Sequence, residues 1–260
     1  MITPIEKVDN IYVKRNDLYT IGKCNGGKAA SAYQLLLDAK EKGYKDVVTS
    51  GSRYSPQCEI VSNLCEMMDM KCHLVMPKGD TTKVIETIEN NPNSVLHMPY
   101  GRGSYQNVLN SYAKNMSIEN NYYLIPFGMQ CVKNVTLIAE QVANVPKEIK
   151  RIVVPVGSGM TLCGILQGLV NYNRYDVEVV GVITGGDPTK VIHTFSPKFV
   201  KLPKYTLETF YPDAPKPRIR YATKVEAYIG DIELDKIYEA KCKEFIRDGD
   251  LFWIVGKHDI

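Results

Sequence analysis

The class of fold is decided by the stretch Ile152-Val153-Val154-Pro155-Val156-Gly157-Ser158-Gly159-Met160-Thr161. The apolar run 152–156 is typical of a buried strand, and the apolar segment 161–171 has the length of a helix. The glycines between them let the backbone approach an anion closely. The helix start adds unpaired N–H groups and the positive end of the helix dipole. We expect a phosphate-binding loop here, although a plain tight turn between strand and helix would have the same residues.

Apolar runs alternate with amphipathic segments along the rest of the chain. Predicted strands lie at 11–14, 46–49, 71–76, 95–98, 122–125, 177–183 and 251–255. Predicted helices lie at 29–42, 56–70, 82–90, 105–115, 132–145 and 234–247. This alternation predicts right-handed βαβ crossovers, mainly parallel sheets and therefore an α/β fold. Two groups of such units predict two lobes, a large domain of residues 1–31 and 129–260 and a small domain of residues 32–128.

A second loop of interest runs from Ser50 to Gln57. Ligands of open α/β folds bind beyond the carboxyl ends of strands, and this loop follows the predicted strand 46–49. Its N–H groups could bind a carboxylate. Ser55 is either a proton shuttle or the N-cap of the next helix. Arg53 either offers a forked pair of donors to a carboxylate or phosphate, or points to solvent.

Lys28 follows Asn25-Gly26-Gly27 at the start of a predicted helix. A lysine at such a position is normally solvated. The alternative is a lysine that forms a Schiff base, which must be partly desolvated and close to other cations to have a usable amount of free amine. Spacing alone does not choose between the two.

Tyr238 and Glu239 lie in the predicted helix 234–247. They would usually be surface residues. A buried Glu239 could instead face the ring nitrogen of a cofactor and keep it protonated, which strengthens an electron sink.

Composition narrows the class of protein. The chain has 260 residues, 44% of them hydrophobic and 23% charged, as in an ordinary globular protein. The net charge of +3 is spread along the chain, which disfavours nucleic-acid binding. Seven cysteines without a CxxC pair favour buried thiols in a reducing cytoplasm over disulfides or zinc. No signal peptide or membrane span is expected.

Taken in order, several segments resemble the fold-type II pyridoxal 5′-phosphate (PLP) enzymes, and in particular the family of 1-aminocyclopropane-1-carboxylate (ACC) deaminase and D-cysteine desulfhydrase. The family motifs in question are "TPL…YxKRED", "GGNK", "SIGGxQSNQ", "YxIPxG", "TGSGGT", "DPVYEGK" and "FxHTGG". The matching segments are 3–17, 26–28, 49–57, 123–128, 156–161, 235–241 and 252–256. The resemblance spans nearly the whole chain.

The resemblance implies a two-lobed fold similar to the tryptophan synthase β subunit, PLP as the cofactor and a role for each matching residue. Lys28 would form the Schiff base with PLP and move a proton. The cofactor phosphate would be bound by Gly157, Ser158, Gly159, Met160 and Thr161, and the ring nitrogen by Glu239. Tyr238 would act on the substrate, whose carboxylate would be bound by Ser55 and the N–H group of Gln57. Arg53 and Tyr54, which do not match the family motif, are two further candidates for substrate binding.

The departures from the family pattern concern the substrate pocket. Pro56 stands where the family has Asn and removes a backbone donor, while Arg53 and Tyr54 replace an apolar residue and Gln. We therefore expect a cytoplasmic lyase or deaminase acting on a small amino acid, with the substrate left open. The alternatives are a PLP-dependent decarboxylase or β-replacement enzyme for a larger or macromolecule-tethered amino acid, and a non-catalytic binding module. Dimers are common among similar enzymes, so a homodimer is one option.

Overall fold

The structure is a computed structural model that describes residues 1–54, 56–99, 101, 106–198 and 200–256. Its strands are β1 (Ile5–Val8), β2 (Ile11–Arg15), β3 (Thr20–Ile21), β4 (Cys24–Asn25), β5 (Asp46–Ser50), β6 (Lys71–Val75), β7 (Ser94–His97), β8 (Tyr123–Leu124), β9 (Arg151–Val156), β10 (Glu178–Ile183), β11 (Tyr205–Thr209), β12 (Tyr228–Ile229), β13 (Ile232–Glu233) and β14 (Leu251–Ile254). Its α-helices are α1 (Gly26–Glu41), α2 (Pro56–Met67), α3 (Lys83–Glu89), α4 (Gln106–Asn120), α5 (Val132–Glu140), α6 (Met160–Asn171), α7 (Thr189–Phe195) and α8 (Pro217–Ala222). The α/β fold class expected from the sequence is confirmed.

The chain divides into two compact units. Of the described residues, the first unit contains Met1–Tyr19 and residues 130–256, and the second contains Thr20–Met129. The units are defined by contacts within the chain. The domain boundaries expected from the sequence, at residues 31/32 and 128/129, stay a prediction.

The first unit is built on a six-stranded sheet of order β1-β2-β14-β9-β10-β11. β1 and β2 are antiparallel, and the other neighbouring pairs are parallel. Helices α5 and α6 pack closely on each other because Gly164 presents no side chain to Ile138. A Cβ atom built at Gly164 would lie 2.4 Å from the Cβ of Ile138. The core below them holds the single tryptophan, Trp253, fully buried.

The second unit is built on a parallel sheet of order β7-β6-β5-β8. Helix α4 covers one face of it, where Leu109 and Ala113 pack against Val48 and Val75. The start of α2 is tied to two neighbouring strand ends by the side chain of Gln57. Parallel strands with their carboxyl ends at one edge are the arrangement that the sequence pattern predicted.

The prediction of an α-helix at residues 234–247 is wrong. The structure has only a 3-10 helix there, Glu239–Phe245. Asp235 accepts hydrogen bonds from the N–H groups of Ile237 (2.8 Å) and Tyr238 (2.9 Å) through its Oδ1 atom. Aspartate side chains that bond to nearby backbone in this way compete with helix formation, so the chain turns before the helix begins.

Two further segments differ from the expectation. The predicted helix 132–145 is α-helical only to Glu140 and continues as the 3-10 helix Gln141–Asn144. The weakly patterned region after residue 186 contains β11, α7, α8 and the hairpin β12–β13, none of which the sequence pattern predicted. In the described part of the chain, no helix is long and apolar enough to span a membrane.

Candidate active site

The predicted phosphate loop joins β9, an interior strand of the first sheet, to helix α6. Gly159 stands at the N-cap of α6 with φ 92°, in the left-handed region that only glycine adopts without strain. Ser158 and Thr161 beside it are half-buried, and Met160 is buried. The loop therefore presents a helix N-terminus and two hydroxyl groups at the carboxyl edge of the sheet, as anion binding requires.

The ring of Tyr238 packs against this loop. A Cβ atom at Gly157 would lie only 2.9 Å from Cε1 of Tyr238, so a glycine is needed for the ring to be there. The hydroxyl groups of Tyr238 and Tyr221 are 3.1 Å apart, and the two rings meet edge to face with centroids 5.8 Å apart. Burial raises the pKa of Tyr238 well above its ordinary value, with Tyr221 adding to the shift. Tyr238 is therefore a neutral phenol, able to donate a proton.

Glu239 is fully buried. Its Oε1 atom accepts hydrogen bonds from the N–H groups of Val255 (2.8 Å) and Gly256 (3.2 Å). Its Oε2 atom is buried and has no hydrogen-bond partner among the residues that the structure describes. Burial, followed by the negative charge of Asp235, raises the pKa of Glu239 well above its ordinary value. A buried carboxyl oxygen without a partner is costly and indicates that a ligand donor belongs there.

Lys241 is a buried cation two residues further along. Its Nζ atom donates to the carbonyl oxygens of Arg220 (2.8 Å) and Tyr221 (2.9 Å), the last turn of α8. Burial lowers the pKa of Lys241 to about 8. Lys241 thus anchors the helix that carries Tyr221, the hydrogen-bond partner of Tyr238.

Lys28 lies in the first turn of α1, in the second unit, and is half-buried. Gly26 before it has φ 82°, a conformation that suits glycine and turns the chain from β4 into the helix. The Lys28 charge is close enough to the fully buried Cys58 thiol to favour the thiolate, although burial as a whole raises the pKa of Cys58.

Arg53 is buried, and its guanidinium group contacts the loop after β6. It donates to the carbonyl oxygen of Pro77 (2.9 Å, from Nη1) and, from Nε (2.8 Å) and Nη2, to that of Asp80. The hydroxyl group of Thr82 in turn donates to the carbonyl oxygen of Arg53 (3.0 Å). These contacts use three of the five guanidinium donors to fix the loop 77–82.

Three more residues were predicted to contact the substrate. Tyr54 is exposed. Ser55, predicted to be catalytic and substrate-binding, lies outside the described residues. The side chain of Gln57 donates to Thr49 (2.8 Å) and Pro126 (2.9 Å) and accepts from the N–H of Gly128 (2.7 Å). The predicted role of Gln57 concerns its backbone N–H, at the second residue of α2.

The first unit thus brings together the loop 157–161, Tyr238 and Glu239, and the second unit carries Lys28, Arg53, Tyr54 and Gln57. Sequence reasoning missed two residues next to Tyr238. Tyr221 lies in a weakly patterned region, and nothing in its neighbours in the sequence signals a partner. Lys241 lies in the motif segment 235–241, but a lysine in a predicted surface helix gives no sign of burial.

Comparison with known proteins gives the family. The sequence profile described as "Pyridoxal-phosphate dependent enzyme" matches residues 2–220. No curated protein sequence matches the chain.

Solved structures show the same fold. An ACC deaminase homologue superposes with a TM-score of 0.79 at 21% identity, over 98% of this chain and 89% of that one. The processed form of threonine deaminase isoform 2 from Solanum lycopersicum gives 0.66 at 17% identity, over 99% and 84%. A PLP-dependent aspartate racemase gives 0.64 at 16% identity, over 99% and 90%. The expected fold-type II architecture is confirmed, while the reactions named for these proteins differ from one another.

Proposed function

Because the chain belongs to the family of pyridoxal-phosphate dependent enzymes, with PLP as its cofactor, we propose that it is a lyase or deaminase acting on a small amino acid. The observation that carries the proposal is the pair Tyr238 and Glu239. A neutral, buried phenol on the phosphate loop stands next to a buried carboxyl group with one oxygen unpartnered among the described residues. Such a pair can bind a cofactor ring and deliver a proton beside it.

The residues of the first unit fit PLP. Bound PLP supplies an electron sink for a carbanion. The N–H groups at the start of α6, with the hydroxyl groups of Ser158 and Thr161, would bind its phosphate. The unpartnered Oε2 atom of Glu239 would accept the ring N–H, while Oε1 stays bound to Val255 and Gly256. Burial alone favours the neutral form of Glu239. A cationic ring nitrogen beside it would favour the ionised carboxylate instead.

Tyr238 would donate a proton to the substrate and Lys28 would take one from it. The raised pKa keeps the phenol protonated, so that Tyr238 holds a proton to donate, and Tyr221 orients its hydroxyl group through the 3.1 Å contact. The Lys28 amine, which would take a proton, is half-buried. The substrate carboxylate would be bound by Ser55, the residue before α2, and by the N–H group of Gln57, the second residue of α2.

The alternative of a larger or tethered substrate rested mainly on Arg53 and Tyr54. Since Arg53 donates to Pro77 and Asp80, no observation favours an Arg53 contact to a second acidic group. Arg53 is better explained as a residue that fixes the loop 77–82. This supports a small amino acid as the proposed substrate.

A cytoplasmic location is part of the proposal. None of the seven cysteines, all of which lie in the described part of the chain, forms a disulfide, as a reducing compartment requires. A homodimer stays a prediction that sedimentation of the holoenzyme would test.

The test is a screen of small amino acids of both configurations against the holoenzyme, with ammonia and 2-oxo acid as the measured products. We expect both products from at least one amino acid, loss of activity in Lys28→Ala, and unchanged activity in Lys23→Ala, an exposed lysine of the same segment. Carbon dioxide without ammonia, or inversion of configuration without either product, would replace the proposal with a decarboxylase or a racemase. Binding of PLP with no turnover of any amino acid would favour the non-catalytic module.

A further inference from the structure

A cavity of about 490 Å³ lies in the first unit, between α7 and the edge strand β11. Its volume is within the range of small-molecule sites, about 300–1,000 Å³. Its wall is mainly apolar, formed by Ile192, Leu202, Tyr205 and Leu207, and the hydroxyl-bearing residues Thr189 and Ser196 also line it. No role in the proposed reaction involves this cavity.

The cation Lys198 and the imidazole of His193, which can donate a hydrogen bond, line the cavity, and both side chains are exposed; we call this pair its cationic mouth. None of the described residues that line it is acidic. The combination of apolar walls with a cationic mouth favours a ligand that has an apolar body and a negative end. An amine of the same shape would meet like charge at the mouth.

The wall of the cavity is also a wall of the phosphate loop. Ile192, which lines the cavity, also packs on Gly159. A Cβ atom added at Gly159 would lie 3.4 Å from the Cγ1 atom of Ile192. The added Cβ atom at Gly159 would also lie 3.3 Å from the Cβ atom of Pro188, the residue just before α7. Polar links between α7 and α6 are weak, since Cys163 reaches Val191 only at 4.0 Å through sulfur. Filling the cavity would therefore restrain α7 and, through Ile192, the Gly159 turn.

We propose that this cavity binds a small carboxylic acid with an apolar tail, and that the bound acid strengthens phosphate binding by the loop 157–161. The binding half of the proposal stands independently of the enzyme's reaction. The regulatory half rests on the proposed role of the loop 157–161 towards PLP. A ligand that orders the loop in advance removes part of the ordering cost from PLP binding.

The binding half is tested by calorimetric titration of the holoenzyme with three probes of one shape: 4-methylpentanoate, 4-methylpentan-1-ol and 4-methylpentylamine. We expect the carboxylate to bind about tenfold tighter than the amine, because the cationic mouth disfavours the ammonium group. Equal affinity of the three probes, or no heat from any of them, would overturn the proposal.

Variants locate the site. Leu202→Trp fills the cavity, and the double variant His193→Gln with Lys198→Gln removes the cationic mouth; each should abolish or weaken carboxylate binding. The matched control is Lys190→Gln with Lys201→Gln, two exposed lysines of the same segment that do not line the cavity. If the carboxylate binds the two test variants as tightly as it binds the control variant, it occupies another site and the proposal is wrong.

The regulatory half is tested by equilibrium dialysis of the PLP-free protein with PLP, with and without saturating 4-methylpentanoate. We expect the dissociation constant of PLP to fall about fivefold, and saturating PLP to tighten carboxylate binding by the same factor, since coupling is reciprocal. Unchanged PLP affinity despite carboxylate binding would overturn the regulatory half alone. Failure of the protein to bind PLP at all would instead count against the proposed function.

Discussion

Glu239 places a carboxyl group where water cannot reach it, with two N–H donors on one oxygen and none, within the described chain, on the other. Burial of an acid without a cation favours its protonated form. The residue is therefore held neutral until a positively charged group arrives. This is the property that suits it to a cofactor ring nitrogen.

The pH dependence of stability follows from the raised pKa of Glu239. Between its unfolded value of 4.5 and its folded value, the native protein binds a proton that the unfolded chain has lost. This stabilising contribution is present at low pH and is lost as the pH rises. Glu239→Gln removes the effect, so the variant should gain in free energy of unfolding relative to the wild type as the pH rises from 4.5 to 8. The free energy of unfolding is measured by urea unfolding of the PLP-free proteins at each pH, with Glu244→Gln, a change of an exposed residue, as the control. A difference between Glu239→Gln and the wild type that does not change with pH would contradict the prediction.

Lys241 is the second residue whose role depends on burial. Replacing it with Met removes two donors from the last turn of α8. We expect amide hydrogen exchange in α8 to become about tenfold faster, the equivalent of one lost hydrogen bond. Lys243→Met changes an exposed lysine of the same 3-10 helix and should leave the exchange of α8 unchanged. Unaltered exchange in Lys241→Met would show that Lys241 does not anchor α8.

At the scale of elements, the contact between α5 and α6 depends on glycines. Gly164→Ala forces a methyl group against Ile138, and overpacking of this kind costs about 1–3 kcal/mol. The free energy of unfolding should fall by that amount. Gly186→Ala is the control, since nothing lies within 4 Å of its added Cβ atom. Equal stability of Gly164→Ala and Gly186→Ala would contradict the packing described.

Elements with a strong apolar period were predictable, and those defined by single hydrogen bonds were not. The buried strand β9 and helix α6 follow directly from the run 152–171, because apolar burial determines both. The segment 234–247 has an apolar period too, yet the Asp235 side chain turns the chain before a helix begins. Tyr221 lies in α8, where the pattern is weak and the contacts that position it come from distant residues. Such contacts have no local signature in the sequence.

At the scale of the whole molecule, stability should depend on the buried Lys14. Its Nζ atom donates to the carbonyl oxygen of Thr3 (2.8 Å) and to Asn144 (2.7 Å), and burial lowers its pKa from 10.5 to about 7. Between those values the unfolded chain binds a proton that the native protein lacks, so the contribution of Lys14 to the stability should rise with pH from 7 to 10.5. The rise should be smaller in Lys14→Met than in the wild type. Lys7→Met, an exposed lysine on β1, should keep the wild-type rise; equal slopes in all three proteins would contradict this account.

The order of motifs along the chain was sufficient to predict the family and its cofactor, since the motifs lie in separate segments of a fold that the sequence pattern indicates. The substrate was not predictable in the same way. Arg53 could be a substrate contact or a structural residue by sequence alone, and only its bonds to Pro77 and Asp80 distinguish the two.

The central claim is that PLP is bound covalently through Lys28. Reduction of the holoenzyme with sodium borohydride fixes the linkage between PLP and its lysine, and mass spectrometry of the digested protein identifies the labelled peptide. The account predicts the label on the peptide that contains Lys28 and its absence in Lys28→Ala. A label on another lysine of the wild-type protein, or no label at all, would contradict it.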